Sequence, residues 1–293
     1  MPSSDPAPLR PARQDTCEAV TCRNCGVYRL CLPLGLEQAD LSLLHSIVRR
    51  KEVYKRGQVL FRPGQRFDYV YAIRSGSVKT SLCTEDGRTQ ITGFHIAGEL
   101  LGLSALAAGE YSCEARALET VSVCKVRADR FENLAQRVPS LQYQMLKIMS
   151  QQIRHNEELM LLLGKRSAEE RLAEYLIGLS RRYASRNYSA TQFHLSMSRG
   201  DIGNYLGIAE ETVCRLLRRF QEDGLIATDR RYVRLIDTRR LGAVAHIDFA
   251  AAPSPAPHPA GIAARPTPAT QSPRPGAETS KLTRVRVLGG GPG

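Results

Sequence analysis

Between residues 52 and 127 glycine returns every few to about ten positions: Gly57, Gly64 after Pro63, Gly76, Gly87 after Asp86, Gly93, Gly98, Gly102 and Gly109. The stretches between them are short and rich in β-formers: QVLF, YVYAIRSGSVKTSLC, RTQITGFHI and CEARALETVSVCKV. So many turn residues break up helices, and the runs between them suit short strands. The pattern predicts an all-β roll or barrel over this region.

After Pro139 the period changes. In SLQYQMLKIMSQQIRHNEELMLLLGK, Leu141, Met145, Ile148, Met149, Leu159 and Leu163 recur at three- and four-residue steps, with no Gly or Pro from 140 to 163. A helix of about 24 residues is predicted, roughly 36 Å long. That length suits a dimerising coiled coil, with a long core helix as the plainer reading. The expected seam is Met145, Ile148, Met149, Gln152, Asn156, Leu159 and Leu163. Its polar middle, Gln152 and then His155 or Asn156, weakens the seam and suits a switchable dimer. Replacing Asn156 by Leu is expected to make dimerisation less ligand-dependent, which sedimentation would detect. A shorter amphipathic helix is expected at 37–50, from the apolar residues at 41, 43, 44, 47 and 48.

The stretch SRGDIGNYLGIAEETVCRLLRRFQEDGLI (198–226) reads as two helices around a tight turn. Ile202, Tyr205 and Leu206 fit the first, and Gly207 the turn. Val213, Leu216, Leu217 and Phe220 fit the inner face of the second, which begins at Glu210. This is the helix-turn-helix pattern. Glu211, Thr212, Cys214, Arg215 and Arg218 are left facing out. Arg215 suits a bidentate bond to guanine, and Glu211 suits acceptance from the amino group of cytosine. LIATDRRYVRLID then alternates like a two-stranded wing. Residues 215–240 carry eight arginines against four acids. The formal net charge of +12 also suits a polyanionic partner such as double-stranded DNA.

Four of the eight cysteines, Cys17, Cys22, Cys25 and Cys31, fall within the first 31 residues. No run reaches the roughly 18–20 apolar residues of a membrane span, and the N-terminal stretch lacks the apolar core of a secretory signal. The expectation is a cytoplasmic protein with no membrane partner, where clustered cysteines are metal ligands or redox thiols rather than disulfides. Spacing alone does not choose between zinc, an iron–sulfur cluster and a redox disulfide. Cys83 and Cys113 are expected to pack as small apolar residues within the roll. His45, His95, His155 and His194 are scattered. Catalytic signatures are absent (no P-loop, HExxH or G-x-S-x-G, and no G-x-G-x-x-G before a helix), so no enzyme is expected.

Taken together, the chain resembles the FNR branch of the CRP/FNR superfamily of bacterial transcription regulators over roughly residues 20–240. The likeness is carried by YAIRSGSVKT (71–80), QITGFHIAGELLG (90–102), ALETVSVC (117–124), LLLGKRSAEERLA (161–173), LSRRYASR (179–186) and SRGDIGNYLG (198–207). It implies an α+β fold: an N-terminal β-roll of the cyclic-nucleotide-binding jelly-roll type, a long dimerisation helix and a C-terminal winged helix-turn-helix. The expected organisation is a cluster-binding segment (17–35), the roll (36–138), the dimerisation helix (139–164) and the DNA-binding domain (165–240), flanked by an N-terminus (1–16) and a Pro/Ala-rich tail (250–293) whose composition predicts disorder.

The resemblance implies an oxygen-labile [4Fe–4S] cluster on Cys22, Cys25, Cys31 and Cys124, with Cys17 and Cys214 outside the ligand set. Arg23 and Arg29 beside the ligands are candidates to offset cluster charge, though plain solvation accounts for them equally well. It further implies a homodimer that forms when oxygen is low. The dimer binds a TTGAT–four bases–ATCAA-like palindrome, contacts RNA polymerase and controls genes of anaerobic metabolism. Two departures stand out. Cys214 replaces the family's common Ser, which puts the outer base preference in question. Asn156 replaces a frequent acid in the dimer helix, which favours the dimer and a leakier off state. A cyclic-nucleotide activator is the nearest rival. Gly98 and Glu99 are present, but Ser112-Cys113 stands where such a pocket carries Arg-Ser, so no cyclic nucleotide is expected. A zinc- or thiol-based redox regulator is the other alternative.

Overall fold

The computed structural model of the protein describes residues 22, 25–33 and 36–247. The expectations for residues 1–16, Cys17, Arg23, the Arg29 side chain and the 250–293 tail lie outside the described residues.

Helix α1 (Gln38–Ile47) passes directly into β1 (Val48–Tyr54). The helix expected over 37–50 therefore stops at Ile47. Val48 and Arg49 instead pair with Val126 and Lys125, a tertiary choice the local pattern does not contain. The strands β2 (Val59–Phe61), β3 (Tyr69–Ser75), β4 (Ser77–Cys83), β5 (Thr89–Ile96), β6 (Leu100–Leu101), β7 (Glu114–Ala117) and β8 (Val121–Arg127) follow. They form two antiparallel four-stranded sheets, ordered β1-β8-β3-β6 and β2-β7-β4-β5. The sheets face each other over a core that includes Val70, Ile73, Val78, Ala115, Val121 and Val123. This is the jelly roll that the glycine punctuation predicts.

Helix α2 (Ala128–Arg137), with Phe131, Leu134 and Ala135 buried against the same core, was not anticipated. Helix α3 (Pro139–Lys165) follows with Pro139 in its first turn, where a missing N–H costs nothing. Its 27 residues span about 40 Å.

The C-terminal part is built from α4 (Ala168–Ala184), β9 (Gln192–His194), α5 (Arg199–Leu206), α6 (Glu210–Glu222), β10 (Ile226–Asp229), β11 (Tyr232–Leu235) and α7 (Thr238–Val244). Capping boxes open α4 at Ser167/Glu170 and α5 at Ser198/Asp201. The wing has three strands, not two. Phe193 and His194 of β9 pair with Val233 and Tyr232 of β11. The core here holds Leu172, Leu176, Ile202, Leu206, Val213 and Phe220, and it also takes in Ile91, Phe94 and Leu118 from the roll. No helix of the described residues is long and apolar enough to cross a membrane.

Candidate functional site

The cysteine segment is a chain of single turns. Cys25 N donates to Cys22 O (3.3 Å), Tyr28 N to Cys25 O (2.9 Å) and Leu30 N to Val27 O (3.0 Å). Leu32 and Leu36 are buried and anchor the segment in the roll core. On β8, alternation sends Val121 and Val123 into that core, so Cys124 faces the opposite side. Cys22, Cys25, Cys31 and Cys124 thereby line one pocket, with Val27, Leu32, Leu44, Ile73 and Val126 making its walls apolar.

Burial pushes the Cys31 thiol up to about 12. The Leu32 backbone opposes this rise, while crowding by Cys124, Cys22 and Cys25 adds to it. Four thiolates gathered here need a cationic centre to hold them ionised, which suits a metal cluster bound by thiolates. Among the described residues, no group of three or more His, Cys, Asp or Glu side chains is placed to hold a single metal ion. The four thiols line one apolar pocket, and by its chemistry this donor set suits an iron–sulfur cluster or zinc.

The remaining cysteines divide differently from the expectation. Cys113 is half-buried against the roll core, and burial raises its pKa. Cys83 is exposed, with its thiol 3.5 Å from Thr84 O. It ends β4 where the strand runs out past the sheet's covered part, so the expectation of a packed Cys83 fails.

The helix-turn-helix has the expected geometry. Gly207 closes α5 at φ +63°, a left-handed conformation that glycine adopts without strain. A Cβ on Gly203 would stand 2.6 Å from Ile208 O, so the two helices approach closely at that point. Val213, Leu216, Leu217 and Phe220 are buried. Glu211, Cys214, Arg215 and Arg218 are exposed, with Thr212 half-buried. Glu211, Arg215 and Arg218 make no ion pair among the described residues. Arg219, by contrast, is committed to Glu169 at 3.0 Å. The wing turn is held to the body by Arg199 Nη2, which donates to Arg230 O (2.9 Å), and by Arg231 Nη1, which donates to Ser196 O (3.1 Å).

Helix α3 is apolar on more than one face, and the structure divides them. Met145 and Ile148 pack against the roll core, and Leu159 against the C-terminal core. Gln152 faces clefts beside the roll and donates to Asn156 Oδ1 (3.0 Å). The exposed large apolar residues include Leu146, Ile153 and Met160, spaced by sevens. They alternate with Met149, Asn156 and Leu163. Of the seven expected seam residues, Met145, Ile148 and Leu159 are thus partly covered within the chain, and the exposed apolar stripe runs beside them. The 3/4 periodicity could not show this, because it fits both registers.

Glu99, a remnant of the rival cyclic-nucleotide reading, is already engaged. Arg182 Nη2 reaches its two oxygens at 2.9 and 2.8 Å, and Arg186 Nη2 donates at 2.6 Å. Burial would raise its carboxyl. Arg182, the bond from His95 and Arg186 outweigh that and hold it at about 2.

Residues 51–138 match the cyclic nucleotide-binding domain family, and residues 170–244 match the Crp-like helix-turn-helix domain. The chain is 45% identical over 242 residues to the transcriptional activator protein Anr of Pseudomonas protegens, covering 83% of this chain and 97% of that one. It is 42% identical over 227 residues to the fumarate and nitrate reduction regulatory protein of Escherichia coli K12, covering 78% and 91%. The solved structure of FixK2 from Bradyrhizobium japonicum is similar at a TM-score of 0.62 and 30% identity, covering 66% of this chain and 96% of that one. With the roll, the long helix and the exposed reading helix in place, the chain belongs to the FNR-type branch of the CRP/FNR family of DNA-binding transcription regulators.

Proposed function

We propose that this regulator senses oxygen through a [4Fe–4S] cluster held by Cys22, Cys25, Cys31 and Cys124. The observation that carries the reading is the shared apolar pocket, which joins an N-terminal segment to a strand of the roll. When bound, the cluster supplies an oxygen-labile anchor between those two parts of the chain. The protein residues do the rest. Leu32 and Leu36 fix the segment to the roll, and Met145 and Ile148 fix the roll to α3. The outward stripe of Leu146, Met149, Ile153, Asn156, Met160 and Leu163 pairs with a second copy.

In the dimer, two α6 helices address half-sites one DNA turn apart in a TTGAT–four bases–ATCAA-like site. Arg215 and Glu211 read its G·C pair, with Thr212, Cys214 and Arg218 beside them. RNA polymerase is the further partner, and genes of anaerobic metabolism are the targets. With Ser112-Cys113 where a cyclic-nucleotide pocket carries Arg-Ser, and with both Glu99 oxygens taken by arginine, no cyclic nucleotide is expected to work the switch.

The test is anaerobic purification with iron, zinc and acid-labile sulfide analysis before and after air. Iron and sulfide in equal, four-per-chain amounts, lost in air together with dimer and operator binding, are expected. Stoichiometric zinc that is indifferent to air would replace this reading with a zinc or thiol regulator.

A further inference from the structure

The turn at residues 97–99 joins parts of the molecule that sequence keeps far apart. A Cβ on Gly98 would stand 2.7 Å from Leu30 Cβ, so Leu30 of the cysteine segment sits directly on the Gly98 backbone, at φ +92°. The same turn is clipped to β3 by Gly98 N to Ile73 O (2.8 Å) and Ile73 N to Glu99 O (3.0 Å). The neighbouring residue of β3, Ala72, pairs with Cys124. Both halves of the cysteine set therefore lean on one turn.

From that turn Glu99 reaches α4. Its carboxylate takes Arg182 and Arg186 together, at side-chain exposures of 28% and 8%. The arginines also grip the roll backbone, Arg182 Nη2 at Phe94 O and Arg186 Nε at Ala97 O, both at 2.5 Å. Helix α4 shares its buried face with α5 and α6, so what holds α4 holds the reading helix. Further along the same boundary, Lys79 pairs with Asp201 of α5 at 2.6 Å, and Asn204 Oδ1 accepts from Ile91 N at 2.6 Å. The contact leaves Arg215 and Arg218 exposed, so it is compatible with DNA binding.

We propose that Glu99, with Arg182 and Arg186, is a positioning element for DNA recognition: it sets the helix-turn-helix against the turn on which the cysteine segment rests, giving the sensor a path to the reading helix within one chain, besides the dimer helix. The proposal rests on the sensing role assigned above. It makes Leu30 and Glu99 one coupled unit, not two independent contacts.

The test uses the full chain, purified anaerobically, and a duplex carrying TTGAT–four bases–ATCAA. Glu99→Gln is expected to keep its iron and its dimer mass while binding the duplex at least tenfold more weakly. Glu99→Asp, which keeps the charge, is expected to retain most of the affinity. Leu30→Ala is expected to weaken binding several-fold, and the double variant to be no weaker than Glu99→Gln alone. Losses that multiply in the double variant would overturn the coupling. Loss of iron and dimer alongside affinity in Glu99→Gln would reduce Glu99 to a folding role. A wild-type chain holding no iron and ignoring the duplex would sink the sensing role instead. The coupling is then read by amide exchange. Faster exchange across 182–187 in Leu30→Ala supports it, and unchanged exchange there overturns it.

Discussion

Helix α6 draws the exposed face proposed to read DNA from the one stretch between Glu211 and Arg218, whereas the cysteine pocket joins residues 22–31 to Cys124 on a strand in the middle of a sheet. The first needs only correct helical phase and a core to lean on. The second exists only after the roll has folded and the N-terminal segment has docked on it. The two regions also lean on different cores, one centred on Phe220 and Ile202, the other on Ile73 and Phe131. Damage to the core under α6 is therefore expected to leave the pocket intact, whereas damage to the pocket is expected to reach DNA binding through the switch.

The sharpest test of that one-way dependence is Cys31→Ser. It is expected to abolish iron retention and to reduce operator binding more than a hundredfold, while Cys83→Ser leaves both unchanged. Iron and sulfide per chain, with duplex binding, check it. Equal damage from Cys83→Ser would mean the pocket has been assigned the wrong thiols.

Phe220→Ala strikes the other core, where the ring is fully buried. A loss of about 3–5 kcal/mol is expected in urea unfolding. Below its midpoint the variant should keep its iron, because the pocket leans on a different core.

Glu99 ties the two regions together, and its charge sets an acid limit. Its carboxyl is held at about 2 against an ordinary 4.5. The stabilisation is complete above the unfolded value and is lost as pH falls from about 4.5 towards about 2, at most about 3 kcal/mol. In Glu99→Gln this part of the acid transition should vanish, as followed by circular dichroism across that range.

Effects confined to the reading face are smaller. Arg215→Ala should cost about 1–3 kcal/mol of specific binding without touching iron content. Cys214→Ser should change preference only at the outer base pair, by less than about 1 kcal/mol, since a hydroxyl is the better donor and a thiol the weaker. Binding to duplexes varied at that position separates the two.

Much of this was legible beforehand, and what was missed follows a rule. The inner residues of α6 and its exposed face follow from helical phase, and strand and turn residues marked the roll. Three features escaped. The strand β1 begins at Val48 because β8 pairs with it there. The wing gains β9 because β11 pairs with it. Helix α2 forms because Phe131, Leu134 and Ala135 find the roll core. Cys83 belongs with these, since alternation names its face but not where the sheet's cover ends.

The sequence by itself determined the β character of the roll, the long helix, where the reading helix lies and how the N-terminal thiols are spaced. Each depends on neighbours within a turn or two of chain. Tertiary structure alone decided that Cys124 shares a pocket with Cys22, Cys25 and Cys31, which apolar residues of α3 stay exposed, and that Glu99 belongs to Arg182 and Arg186. Those outcomes depend on which distant surfaces bury each other, and local periodicity carries no term for that.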